Sequence, residues 1–461
     1  MPLSKPLRIA SLPLLLFALP ACTGDDDGAD DEVGETEETE SGDTTESGET
    51  TETETGETTT ETGETTETES ESESESETET GEESETGDEK PELGATPNVL
   101  CEAALASFAT IVAENQNPDP DPMVIEEAYV DTGLQEFVQL AGVVTGRIED
   151  GVLIDDAAIL ELLDAEASAL DMLDLEWRIV LVMHLYIRAT INEVSGTLPD
   201  PANDPALLYA QWDAAYCYWD GALRPLGQLA DQVGPDIDAI EADIDAGFQL
   251  GHDHIEGAQP WAIDEFEVPA AKQQVEKTLY SLFHRLTHAW SSEAVDAGDT
   301  PEALALAHMA YGAFQPLEDR MAGRNTPGIA IIEEQLLGDP TVIDPDDVLR
   351  QMNIAFAKRT RRYTNHALPD VDGTIGTAPG YAAAVEGFTY NKLIDPYLDE
   401  AIDGFDQMAY RETWQAWIDA IRNDDLPAAE TASAELVDWN CQYQEFLLIA
   451  ECTASADEPA P

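Results

Sequence analysis

One stretch limits what the rest of this chain can do. Residues 23–95, typified by "GETTETESESESESETET", are built almost wholly from Glu, Thr, Ser, Gly and Asp. They hold 31 acidic residues and one basic residue, Lys90, with almost no apolar side chains. Such a segment has no apolar surface whose burial could offset the entropy of ordering, and its charges repel one another, so it is expected to be disordered and extended. A neutral chain of that length would average roughly 50 Å end to end, and repulsion lengthens it. Folding is left to residues 96–461, with the acidic run as a standoff tether. Its hydroxyl-rich composition permits O-glycosylation.

The first 22 residues, "MPLSKPLRIASLPLLLFALPAC", place Lys5 and Arg8 ahead of an apolar run from Ile9 to Leu19 that is too short to span a bilayer. That is the layout of an export signal. Its end, "LPAC", resembles the lipobox of bacterial lipoproteins, with Leu19 three places and Ala21 one place before Cys22. The resemblance implies cleavage before Cys22, a diacylglycerol on its thiol, and a membrane partner through that lipid. The other reading is an ordinary secretory peptide with a chance cysteine. Thr23, not an aspartate, follows the cysteine; by analogy with the usual sorting rule this points to an outer-membrane lipoprotein, on the periplasmic side or at the cell surface.

Beyond signal and tether there remain 66 acidic and 17 basic residues. Nucleic acid and anionic lipid are therefore poor partners, and a cation is electrostatically easier. Four cysteines, Cys101, Cys217, Cys441 and Cys452, permit two disulfides in an exported chain. If "CQYQEFLLIAEC" is one helix, Cys441 and Cys452 lie about 16 Å apart along its axis and cannot bond to each other, so each reaches back to Cys101 or Cys217.

Apolar residues recur at three and four, and Pro, Gly and Asp punctuate the breaks, so the expected fold is all-α. Candidate helices cover roughly 99–115, 124–143, 155–165, 174–194, 204–232, 236–258, 268–295, 301–322, 327–338, 344–366, 379–397, 400–423 and 427–452. A repeat runs through them. "EWRIVLVMHLYIRATINE" from Glu176 aligns with "EKTLYSLFHRLTHAWSSE" from Glu276, pairing His184 with His284, Ala189 with Ala289 and Glu193 with Glu293. "AAYCYW" falls over "MAYGAF", and "PDIDAIE" over "PGIAIIE". Two related helical bundles are expected, at 96–258 and 259–461.

The order "VEKTLYSLFHRLTHAW", then "ALALAHMAYGAFQPLEDRM", then "YAAAVEGFTYNKLIDPYL" resembles the low-iron-inducible, iron-assimilating periplasmic protein family, over roughly residues 174–400. The resemblance implies an exported helical protein that binds iron or helps deliver it, with an envelope uptake component as a partner. A second relative is the imelysin family, exported two-bundle proteins linked to iron with a Gly-His-x-x-Glu signature. "GHDHIEG" departs from it, because His252 and Glu256 are four apart and His254 and Glu256 two apart.

Helical geometry sorts that cluster. Ile237, Ile240, Ile244, Phe248, Gly251 and Ile255 make one stripe; His252 and Glu256 share its flank, His254 takes the opposite flank and Asp253 faces away. His252 with Glu256 is a candidate metal pair at the edge of a buried face, or else a polar pair near a helix end. Gly247 and Gly251 would let another helix come close. His284 and His288 form a second i, i+4 pair, opposite an apolar face of Leu279, Leu282, Phe283, Leu286 and Trp290, which places them in solvent unless that side lines a groove. His184, on a helix apolar nearly all round, is expected buried and neutral beside Arg188, the state a metal requires. Glu386, in a "VEG" that echoes "IEG", and His308 are further candidates.

The sequence carries no HExxH, Gly-x-Ser-x-Gly, phosphate-binding glycine loop, Rossmann fingerprint or di-iron Glu-x-x-His motif. The expected protein is thus not an enzyme but a membrane-anchored helical lipoprotein that binds iron or a related transition metal. The alternative is an envelope interaction module for protein or glycan whose histidines are incidental.

Overall fold

A computed structural model describes residues 92–117, 120–163, 168–198, 204–235, 239–255 and 266–454. The signal, Cys22, nearly all of the tether and Glu256 lie outside the described residues. The described residues are all-α apart from one short hairpin. In chain order the helices are α1 (Val99–Asn115), α2 (Pro122–Tyr129), α3 (Gly133–Val144), α4 (Ile154–Leu162), α5 (Ala169–Thr197), α6 (Pro205–Tyr218), α7 (Arg224–Val233), α8 (Ile240–His254), α9 (Glu267–Ala297), α10 (Pro301–Phe314), α11 (Glu318–Ala322), α12 (Thr326–Leu336), α13 (Pro345–Tyr363), α14 (Ala378–Ile394), α15 (Leu398–Ala401), α16 (Gln407–Arg422) and α17 (Leu426–Phe446).

Four helices begin on one sequence device, an Asp or Thr side chain that accepts a backbone N–H, followed at once by proline: Asp121-Pro122, Asp204-Pro205, Thr300-Pro301 and Asp344-Pro345. The cap satisfies a donor that the helix cannot, and proline brings a helical φ and no N–H to lose. The single helix expected over 124–143 is instead two, because Asp131 takes a left-handed φ of 56° and Thr132 caps α3. The hairpin pairs Ile148–Glu149 with Val152–Leu153 through Asp150 and Gly151, at φ 50° and 81°, the geometry that a two-residue Asp-Gly turn favours.

Helix α9 is the axis of the fold. α5, α7, α8, α10, α13 and α14 all pack on it, and residues 275–287 are buried without a break. Helix α8 lies against α9 at Gly247, where an added Cβ would sit 2.8 Å from Val275; at Gly251 it would sit 2.1 Å from the ring of Trp212. These are the close approaches that the two glycines promise in the sequence. The bundle boundary expected at 258/259 falls outside the described residues; α8 and α9 on either side of it pack together, and the buried apolar residues of both halves form one core.

The aligned helices α6 and α10 share an irregular end. A π-helical turn, Trp219–Leu223, precedes Pro225 after α6, and a 3-10 turn, Gln315–Leu317, contains Pro316 after α10. α14 ends likewise at Asp395–Tyr397 around Pro396.

The disulfides are Cys101–Cys217 and Cys441–Cys452. The pairing expected from one helix over 427–452 is therefore wrong. α17 stops at Phe446, Leu448 takes φ 64°, and the chain turns back so that the Cα of Cys452 lies 5.1 Å from that of Cys441. The side chain of Gln444 holds the returning segment by accepting from the N–H of Thr453 and donating to its carbonyl, both at 2.9 Å. At the other end, Cys101–Cys217 joins α1 to α6, and the N–H groups of Gly94 and Thr96 donate to Asp213 at 2.9 and 3.1 Å. The domain end of the tether is thereby fixed to α6.

Candidate functional site

The candidate metal-ligating histidines lie at separate places, and Glu256, the expected partner of His252, lies outside the described residues. His252 is buried on α8 against Tyr209, with its Nε2 3.8 Å from a carboxylate oxygen of Asp213. His284 is not in solvent, as the one-sided apolar face of its helix implied: α9 is covered on every side, and the ring is 1 % exposed with Nε2 2.9 Å from Asn353 Oδ1. His288, one turn on, is only partly buried. His308 pairs through Nδ1 with Asp174 at 2.9 Å, which raises its pKa. Among the described residues no three His, Cys, Asp or Glu side chains come within reach of one metal ion.

His184 and Glu386 do come to a common place, and it is one of mixed charge. Its hub is Tyr280 of α9, fully buried. The guanidinium groups of Arg188 (α5) and Arg320 (α11) and the ammonium of Lys277 (α9) lie 5.5, 5.7 and 5.8 Å from the centre of that one ring. Tyr390 of α14 stacks on Tyr280 with centroids 6.1 Å apart, and has Lys277 and Arg359 at 5.2 and 5.8 Å from its own. The negative faces of the two rings thus meet four cations, an attraction of about 0.5–2 kcal/mol for each close pair.

Glu276, 1 % exposed, is the anion at the bottom. Its Oε1 receives Lys277 at 2.9 Å, Arg320 at 3.0 Å and Arg188 at 3.1 Å, and its Oε2 has Lys272 at 3.7 Å. Burial alone would raise its pKa, but Lys277, Lys272, Arg188 and Arg320 together hold it well below the usual carboxylate range. Glu386 lies 3.2 Å from Lys277 and is likewise held down against burial by Lys277 and Lys272. Asp319, at the open side, pairs with Arg188 at 2.7 Å.

Three buried polar groups in this cluster lack a hydrogen bond. They are both ring nitrogens of His184, the hydroxyl of Tyr390 and Oε2 of Glu276. His184 is fully buried, its ring 5.4 Å from that of Tyr280, and burial followed by the charge of Arg188 drives its pKa to about 3. It is the neutral buried histidine expected from the sequence. Neutral imidazole offers one donor and one acceptor, and here both are unused.

Sequence reasoning passed over Lys272, Lys277, Tyr280, Arg320, Arg359 and Tyr390. Composition held a signal for them. With only 17 basic residues beyond the tether, two lysines five apart on the helix of His284, followed by the Arg of "PLEDRM", already mark where positive charge is concentrated.

Comparison of this chain with protein-family models, with curated proteins and with solved structures found no match.

Proposed function

We propose that this chain is a non-enzymatic binding protein of the cell envelope, exported and lipid-anchored through Cys22. Its acidic tether holds out a helical body whose ligand sits in the cluster around Tyr280. The observation that carries the reading is the convergence of buried groups that lack a hydrogen bond, namely both ring nitrogens of His184, the Tyr390 hydroxyl and Glu276 Oε2, on one charged point where side chains of α5, α9, α11 and α14 meet. Buried polar groups ordinarily find partners, and leaving one without costs about 1–3 kcal/mol. Several together, in reach of side chains that open to solvent, fit a site completed by something the chain itself does not supply. The non-enzymatic reading rests on the missing catalytic motifs.

The test is ligand retention. The full chain, released from membranes in mild detergent, should carry a small molecule in native mass spectrometry, and the variants His184→Leu and Tyr390→Phe should lose it while keeping their helical circular dichroism. Equal retention by wild type and both variants would sink the reading.

Iron or a related transition metal is the second reading, from the resemblance to the iron-assimilating family. It is favoured by one observation away from Tyr280: His252 is buried 3.8 Å from the Asp213 carboxylate, and Glu256 follows four residues later in the sequence. Iron titration of the folded chain against a denatured control of the same charge decides it. Stoichiometric iron lost on His252→Gln supports a centre there, and weak, salt-sensitive uptake matched by the denatured chain removes it.

A further inference from the structure

We infer that the cavity between α4, α5 and α10 binds a short peptide with both ends free, its ammonium held by Asp171 and Asp174 and its carboxylate by Arg178. The site is separate from the cluster around Tyr280 and stands whether or not that cluster holds a ligand. Arg178 precedes Arg188 by ten residues, about 15 Å along α5.

The cavity measures about 500 Å³, within the range of small-molecule sites. Glu161 and Leu162 of α4, Asp171, Asp174 and Arg178 of α5, and Tyr311 of α10 all line it. Helix α5 sets the order of charge. Residues 171, 174 and 178 are three and four apart, so they share the face of that helix which borders the cavity. The cavity therefore has a negative end and a positive end. Along the helix axis Asp171 lies about 10 Å from Arg178, and Asp174 about 6 Å.

Each end keeps bonding capacity for a ligand. Asp171 completes the capping box of α5 through Oδ2, which accepts from the N–H and the hydroxyl of Ser168 at 2.6 and 2.7 Å; these bonds lower its pKa and keep it charged. Asp174 meets His308 through Oδ1 at 2.9 Å. The other oxygen of each carboxylate is left for an ammonium. At the far end, Asp155 stands 3.5 Å from Arg178 Nε, but Arg147 already donates to both oxygens of Asp155 at 2.6 and 2.9 Å. Glu318 also feels the charge of Arg178, yet burial and then Glu333 raise its pKa to about 7, so near neutral pH it is only partly ionised. The guanidinium thus has donors to spare, in the paired geometry that matches a carboxylate. An anion alone would face Glu161, Asp171 and Asp174, and a cation alone would face Arg178, whereas a zwitterion suits both ends. Length selects the zwitterion. The charges of a single amino acid flank one Cα, but two or three extended residues span about 7 to 10 Å, the separation of the two ends along α5. Tyr311 and Leu162 offer apolar surface to the side chains between.

Isothermal calorimetry of the full chain at neutral pH and fixed ionic strength tests this with Ala-Ala and Ala-Ala-Ala as probes, each also acetylated at its N-terminus or amidated at its C-terminus, and with free alanine. One-to-one binding of a free-ended peptide is expected, tighter than that of alanine. Blocking either end should weaken it about tenfold or more through loss of a charge-assisted contact. The penalty for amidation should vanish in Arg178→Gln, and that for acetylation should shrink in Asp174→Asn, with helical circular dichroism as the check on folding. The blocked and free peptides compared on the unaltered chain keep the test whole if a variant misfolds. Peptides that bind equally well with either end blocked overturn the inference, as does an Arg178→Gln chain that keeps the full amidation penalty. Tighter binding of the amidated peptide than of the free one would make the cavity a site for organic cations instead. Failure of every probe to bind removes the site.

Discussion

His184 and His284 occupy matched positions on the aligned helices α5 and α9. Both are buried, and burial drives the pKa of each to about 3. They nevertheless have opposite standing. His284 is finished: its Nε2 meets Asn353, whose own amide donates to Tyr443, so a chain of hydrogen bonds ties α9 to α13 and α17. His184 faces Arg188, Asp319 and the ring of Tyr280 with neither nitrogen bonded. The preceding pair, Glu176 and Glu276, differs in the same sense. Glu176 accepts from neutral Asn115 and burial raises its pKa, whereas Glu276 sits among four cations that depress it. Burial and a perturbed pKa do not by themselves distinguish a core histidine from a ligand-seating one. What distinguishes them is the bonding of the ring itself: neither nitrogen of His184 is bonded, whereas Nε2 of His284 is met by Asn353.

The comparison can be pushed until it breaks. The largest effect is expected at Glu276, because Glu276→Ala leaves Arg188, Lys272, Lys277 and Arg320 without their common anion. Loss of one partner from a buried charge network costs about 3–5 kcal/mol, to be read by urea unfolding. At pH 7.5 His284→Leu should cost about 1–3 kcal/mol, the penalty of leaving the buried Asn353 oxygen without its partner. On lowering pH, both histidines should act alike. Each has its folded pKa depressed to about 3 from 6.5 in the unfolded chain, so the unfolded state takes up protons that the folded one refuses. Stability is full above pH 6.5 and falls through the window down to about 3, by about 1.4 kcal/mol per unit for each histidine. Either Leu variant should remove one such share of the slope between pH 6 and pH 5. The smallest effect is expected for His184→Leu at pH 7.5, about 0.5 kcal/mol or less in either direction, since no hydrogen bond is lost. A cost there as large as that of His284→Leu would erase the distinction.

Much of the fold was legible in the sequence because it is written in local signals. The 3.6-residue periodicity and the Asp-Pro and Thr-Pro caps locate most helices, and Gly247 and Gly251 announce a close approach that α9 and Trp212 supply. What failed was non-local. The reversal at Leu448 is a left-handed turn at a residue type that gives no warning of one, so a continuous helix over 427–452 looked sound and misdirected the disulfides. His284 looked solvent-facing because one helix shows its own apolar stripe but not how many neighbours surround it. The charged cluster was obscured by averages. A domain with 66 acidic residues reads as cation-seeking, and only tertiary packing gathers four basic residues from α5, α9, α11 and α13 around two tyrosines.

The most direct test observes the two histidines side by side while ligand is added. With 15N-histidine labelling of the full chain, and assignments from His184→Leu and His284→Leu, both rings should give the signature of a neutral imidazole at pH 7. Titration with the small molecule retained by the membrane-released chain should then move the His184 nitrogens, which gain hydrogen-bond partners, and leave those of His284 where they were. If both move alike, or if His184 stays unchanged while that molecule binds, the cluster around Tyr280 is not the ligand site.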